Sequence, residues 1–307
     1  MSPEGRGGAS GEPGPAAESR LASLEATALV ALIALLPRVF VAIGWAREPV
    51  WDGHYYDFGA QRIADGLGYS ADRATPHGVV WQPWCHYPVG YSGFLAAVYS
   101  IAGRGPHVGP LANAVVGAVL AAVVHRLALR VTTPRRALVA GLIAALAPSL
   151  VVYTPLLMTE PLAALGLLAA PATHLALRPR GRWPALAVAG AVLGLATLVR
   201  PQSLVCAPAL ALFVWLEDGG GAPLRRLRAS AAAAVVATAA CLAVVAPWTA
   251  RNCRVMDGCA LVSTNGGWNL AIGASPRATG RFEALHGADG CREVTGQVQQ
   301  DLSLIHI

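Results

Sequence analysis

Apolar residues run along this chain in long blocks separated by short polar stretches, unlike the alternation of a water-soluble fold. Residues 28–45, 108–129, 137–153, 161–177 and 229–245 come close to the roughly 17–25 apolar residues that a bilayer-crossing helix needs. Two shorter blocks, 184–199 and 204–216, flank Arg200-Pro201-Gln202 and suit either two thin spans or a re-entrant hairpin. Residues 91–103 give a block of only about thirteen residues, which favours an interfacial or re-entrant helix over a span. After the first block the period changes. From Gly53 to Ala64, Tyr56, Ala60, Ile63 and Ala64, with Leu67 beyond, recur three or four apart, predicting a short amphipathic helix that Gly66 and Gly68 end. Asp52 stands where an N-cap would. The expected fold is an all-α polytopic membrane protein of about seven transmembrane helices, with juxtamembrane helices in a long first outer loop.

Composition agrees. The chain of 307 residues is 55% hydrophobic and 13% charged, whereas a soluble domain carries about 25% charged residues. A net charge of +6 would suggest nucleic acid as partner to a soluble protein. Here the arginines sit between apolar blocks with no aromatic-basic patch, so no nucleic-acid partner is expected and membrane topology accounts for them. If 91–103 does not cross, three groups fall on the side of the N-terminal tail: Arg130, Arg135 and Arg136; Arg178, Arg180 and Arg182; Arg225, Arg226 and Arg228. Basic loops favour the cytoplasm. This predicts a disordered cytoplasmic tail over residues 1–20, a transmembrane domain over 21–247 that includes outer loop 46–106, and an extracytoplasmic segment over 248–307. The first apolar block lacks a signal-cleavage pattern and reads as a retained anchor. The apolar ending "DLSLIHI" reads as a truncated terminus.

With that sidedness the polar groups of 46–106, 158–160, 200–202 and 248 onward meet on the outer face. Asp52, beside His54, Tyr55 and Tyr56, is either an N-cap or a carboxylate acting as general base on a hydroxyl. Glu160 in "LMTEPLAAL" follows Thr159, a candidate N-cap, and either complements the helix dipole or contacts a substrate or metal. Arg200 in "LVRPQSL" and Arg251 in "APWTARNCRV" lie at outer boundaries, where arginine snorkels or grips a phosphate. Asn265 and Asn269, around Trp268, offer amides and an indole face to a sugar, or only turn chemistry. Cys206 and Cys241 fall in apolar blocks and read as core. Cys253 and Cys259 lie close together outside, where a disulfide can form. No CxxC or HExxH spacing, Walker loop, nucleophile elbow or dinucleotide fingerprint is present.

Taken in order, the Asp52-x3-Tyr56 stretch, "YPVGY", "TEPL", "RPQSL", "PWTARN" and "STNGGWNLAIGASPRATG" resemble the GT-C-fold membrane glycosyltransferases. The similarity is to bacterial glycosyltransferase family 39, with its protein O-mannosyltransferase and aminoarabinose-transferase relatives, and runs from about Leu29 to Gly280. It implies a GT-C-like bundle of the plasma membrane and cell envelope. Such a protein transfers a mannose-like or other hexose or pentose from a polyprenyl phosphate sugar to a protein, glycan or lipid acceptor, with inversion. By the same resemblance Asp52 takes the place of the catalytic aspartate. Tyr56, His86, Glu160, Arg200, Arg251, Asn265 and Asn269 are then expected to contact substrate. No cofactor is implied with certainty. A divalent metal stays open, although relatives often carry an acidic residue after the aspartate and this chain has Gly53. Val89 and Ser92 also stand where relatives have prolines. Two alternatives are kept: a lipid-linked sugar flippase or transporter, and an inactive truncated membrane protein. A transporter places ionisable groups mid-span, and in the five long blocks only Arg38, after Pro37, lies near a middle.

Overall fold

The computed structural model describes residues 15–45, 48–220, 222–256, 258–275 and 278–281. Helix α1, Pro15–Gly44, begins before the first apolar block, because its opening turns are rich in the strong helix formers Ala, Leu and Glu. Residues 15–20, expected as tail, are therefore helical, and the rest of the expected tail lies outside the described residues. Helix α2, Asp52–Ala64, is followed by strands β1, Ser70–Thr75, and β2, Gly78–Pro83, an antiparallel hairpin registered from Ser70↔Pro83 to Thr75↔Gly78. Then come α3, Val89–Ala102, and α4, Val108–Val131.

The protein is an all-α polytopic membrane protein. Among the described residues five segments are long and apolar enough to cross a bilayer: Leu21–Gly44, Val108–Val131, Glu160–Arg180, Arg182–Val199 and Pro223–Val255. The other two expected spans are broken by proline, which cannot donate to a helix ladder. Run 137–153 divides into α5, Pro134–Leu146, and α6, Pro148–Val152. After α7, Glu160–Leu177, and α8, Arg182–Val199, run 204–216 divides into a 3₁₀ turn at Pro201–Val205, α9, Cys206–Ala209, and α10, Ala211–Glu217. Within it Cys206 is exposed, whereas Cys241 is core as expected. Helix α11, Pro223–Val255, continues through residue 247, where a domain edge was expected, and α12, Asn265–Ala274, ends the described helices.

Ion pairs mark the two ends of the bundle. At one end Arg200 meets Glu160 at 2.8 Å. At the other, Arg178 meets Glu217 at 2.7 Å and Arg182 meets Asp218 at 2.7 Å. The segment 201–217 thus returns the whole way alongside α8 instead of closing a re-entrant hairpin. Helix α3 stays at the Arg200 end: Tyr99 donates to Asp57 of α2, and Gly90 lies so close to α8 that a Cβ there would sit 2.6 Å from the Val199 nitrogen. All three arginine groups of the sequence lie in the helix ends and turns of the opposite end.

Arg38 is fully buried in α1, and its two terminal nitrogens are satisfied, while Nε has no hydrogen-bond partner among the described residues. Its guanidinium donates to the carbonyls of Ala34 at 2.7 Å, Ala145 at 2.6 Å and Ala144 at 3.3 Å. The latter two are end carbonyls that the break at Pro148 leaves without helix donors. Arg38 caps α5 across the bundle, and its charge suits the negative end of that helix. Gly117 of α4 makes the room, since a Cβ there would lie 2.2 Å from Arg38 Nε.

Candidate active site

Helix α2 forms as its pattern dictates. Tyr56 and Ala60 are buried against Tyr91, Leu95 and Tyr99 of α3, and the Ser92 hydroxyl donates to the Tyr56 carbonyl at 2.9 Å. Leu67, past the glycine stop, is exposed instead of continuing that face. The N-terminus differs from expectation. Trp51, in the left-handed region at φ 52°, is the capping residue and makes no side-chain cap bond; Asp52 is the first helical residue. Freed from capping, the exposed Asp52 carboxylate accepts a hydrogen bond from the Tyr87 phenol at 2.9 Å. Gly53 lets this turn sit directly on the loop before α7: a Cβ there would lie 2.3 Å from the Leu156 oxygen. Leu157 in that loop is likewise left-handed, at φ 53°. A side chain in that region costs of order 1–3 kcal/mol, and here two such residues flank one contact.

Tyr87 is braced by rings. It stacks on Tyr55 with centroids 5.0 Å apart, and His86 meets it edge-on at 5.0 Å. Burial pushes the His86 imidazole down to about 4, against the pull of the Asp52 charge, so it is neutral at pH 7. Burial and the neighbouring Asp52 carboxylate hold the Tyr87 phenol well above its ordinary range, and it stays a donor. Burial also raises the Cys85 thiol to about 11.

The backbone of this segment is strapped down by the end of α11. Arg251 donates to the carbonyls of Trp84 at 2.9 Å and Tyr69 at 2.6 Å, with its guanidinium 4.7 Å from the Trp248 ring centre. Trp248 and the buried Asn252 both donate to the Val262 carbonyl. From there the amides of Thr264 and Asn265 bond the carbonyls of Cys85 and His86 at 3.0 and 3.1 Å. A disulfide joins Cys253 to Cys259 at this same end.

On the other side of Tyr56 lies the ionic half. Arg200 donates through Nε to Thr159 Oγ1 at 2.9 Å and through Nη2 to Glu160 Oε1 at 2.8 Å. Thr159 precedes α7 but spends its hydroxyl on Arg200 rather than on the helix amides. Glu160 Oε2 is buried without a hydrogen-bond partner among the described residues. Burial chiefly, and the charge of Asp52 next, push the Tyr56 phenol up, while Arg200 opposes them; Tyr56 thus lies within reach of both halves.

Residues 86–250 match a family model described as dolichyl-phosphate-mannose-protein mannosyltransferase, more than half of the chain. The chain belongs to that family. No curated protein matches it. Membership of this mannosyltransferase family points to a glycosyltransferase-type activity in a membrane protein. The match takes in His86, Glu160 and Arg200; Asp52, Tyr56, Arg251, Asn265 and Asn269 lie outside it.

The structure therefore brings Asp52, Tyr56, His86, Glu160 and Arg200 to one end of the bundle. Arg251 and Asn265 belong to the strap behind them, and Asn269 is exposed on α12. The side chain of Trp268 lies outside the described residues. Sequence reasoning missed Tyr87, the group that holds Asp52. Its signal was its place between His86 and Pro88, in the motif that carries the resemblance. Among the described residues no group of three or more His, Cys, Asp or Glu is placed to hold a metal ion.

Proposed function

We propose that the protein transfers a glycosyl group from a polyprenyl phosphate sugar to an extracytoplasmic acceptor, with inversion. Asp52 Oδ removes the proton of the acceptor hydroxyl. The hydroxyl oxygen attacks the anomeric carbon from the face opposite the carrier, the bond from that carbon to the phosphate oxygen breaks, and polyprenyl phosphate leaves. Arg200 takes the phosphate, its guanidinium aimed by Thr159 and Glu160 and still 45% exposed. An arginine so fixed stabilises charge as it develops on the leaving group. Arg251 acts through the strap, aligning the Trp84–Tyr87 backbone. Tyr56 and His86 border the reacting sugar; Asn265 and Asn269, on α12, face the acceptor.

The observation that carries the reading is an exposed carboxylate, held by Tyr87, at the bundle end of the Arg200–Glu160 pair and opposite the arginine groups. The positive-inside rule assigns those groups to the cytoplasm and the site to the outer side of the plasma membrane. A disulfide at the site end agrees with an oxidising compartment. The transporter reading loses its best residue, because Arg38 is committed to the end of α5. The test is to incubate membranes holding the protein with radiolabelled polyprenyl phosphate sugars. The reading expects label in a macromolecule; carrier that moves across the bilayer with no transfer overturns it.

A further inference from the structure

The β1–β2 hairpin takes no part in the site, yet it carries apolar side chains on its surface. Strand β2 reads Gly-Val-Val-Trp-Gln-Pro, with no charge. Val79 is 70% exposed, Val80 46% and Trp81 56%. Successive residues of a strand point to opposite faces, so along β2 the ribbon is apolar on both. The Trp81 indole N–H is already used, donating to the carbonyl of the exposed Leu67 at 3.2 Å. In β1 the acid Asp72 is neutralised by Arg62 of α2, which donates to its two oxygens at 3.0 Å each. The other charge of the two strands, Arg73, has the sign that headgroup phosphates attract. A lone two-stranded ribbon is marginally stable in water, and an exposed apolar edge strand invites aggregation there.

Helix α11 sets the height of the hairpin. Between Arg228 and Arg251 this helix has no charged side chain. Residues 229–250 rise about 33 Å at 1.5 Å per residue, which matches a hydrocarbon core of about 30 Å. Arg251 therefore marks the edge of the apolar layer. Its guanidinium also holds both ends of the hairpin, donating to the carbonyls of Tyr69, just before β1, and Trp84, just after β2. The base of the ribbon is thus fixed at the membrane boundary. The exposed Trp45 and Trp51 stand just past the same end of α1, and tryptophan favours such a boundary.

We propose that the hairpin is a membrane-surface anchor, lying in the headgroup region of the leaflet at the site end, with Val79, Val80 and Trp81 against the tops of the acyl chains. A deeper position is excluded by the open edges of a two-stranded sheet, because backbone groups in hydrocarbon must find partners, whereas the headgroup region holds water. The inference stands on exposure and height and is independent of the reaction the site performs.

The test uses the full chain in vesicles of phosphatidylcholine and phosphatidylglycerol. Val80→Cys carries a nitrobenzoxadiazole fluorophore, in a background of Cys206→Ser and Cys291→Ser; the other cysteines are buried or disulfide-bonded. A nitroxide lipid labelled near the carbonyl end of its acyl chain should quench the emission about threefold more than one labelled near the methyl end. Iodide in the buffer should quench it weakly. Iodide quenching without nitroxide quenching places the hairpin in water and overturns the proposal. Stronger quenching by the deep nitroxide overturns it too, as does protection from both quenchers, the mark of a covering protein or a second copy. The native indole gives an independent reading, because Trp81→Phe keeps an apolar ring. In vesicles of lipids brominated near the carbonyl end, that variant should lose a smaller fraction of its tryptophan emission than the parent. Equal fractional losses overturn the proposal.

Discussion

The phenol of Tyr87 donates to Asp52 at 2.9 Å, joining the first turn of α2 to a segment 35 residues away. A carboxylate used as a base must present one lone pair to the acceptor while the rest of the group stays still. Tyr87 fixes it from one side, and the Tyr55 ring and the strap from α11 fix Tyr87. Replacing Tyr87 by Phe removes one hydrogen bond at a partly exposed position, worth about 1–1.5 kcal/mol. Transfer should slow about tenfold, with the KM for the donor lipid unchanged. An unchanged rate would detach Tyr87 from the site.

His86 makes the site end sensitive to acid. An unfolded imidazole titrates near 6.5 and the folded one at about 4, so the unfolded chain takes the proton first as pH falls. The stability contributed by neutral His86 is complete above about 6.5 and is lost progressively down to about 4. At about 1.4 kcal/mol per pH unit, the loss reaches roughly 3 kcal/mol. The melting temperature of the purified protein should drop between pH 7 and pH 5, and His86→Gln should flatten that drop. Parallel curves for the two proteins would refute it.

Gly53 follows Asp52 directly and packs against the loop before α7. A Cβ 2.3 Å from the Leu156 oxygen forces the loop before α7 away from α2. Gly53→Ala should destabilise the protein by about 1–3 kcal/mol, the range for overpacking, and Gly53→Glu should lower both stability and transfer further. Thermal unfolding and labelled transfer check this. An active, unperturbed Gly53→Glu protein would contradict the packing described.

Arg38 and Pro148 form a pair that a double-mutant cycle can expose. Arg38→Met leaves the Ala144 and Ala145 carbonyls without their donor inside the bundle, at a cost of roughly 1–3 kcal/mol for each unsatisfied group. Pro148→Ala returns an N–H able to bond Ala144. The double variant should recover part of the loss in denaturant unfolding, and strict additivity would refute the capping role.

The long apolar blocks, the α2 helix and the non-crossing α3 were all legible, because burial in lipid or against one helix face leaves a periodic trace in sequence. The break at Pro148 was not: the run 137–153 is apolar throughout, and what makes the break tolerable is Arg38, 107 residues away from Ala145. In the site, Asp52, Glu160 and Arg200 stood out as charges at block edges. That Arg200 pairs with Glu160, and that Arg251 bonds two backbone carbonyls, depends on which helix ends meet, a matter of tertiary packing with no local signature.

The most direct test of the account is the rate of labelled-sugar transfer by Asp52→Asn, compared with the parent protein in the same membranes. A general base contributes about 10²–10⁴-fold, so the variant should lose at least a hundredfold in rate while binding the donor lipid as before. Transfer at the parent rate would show that the proton goes elsewhere, and the catalytic assignment of Asp52 would fall.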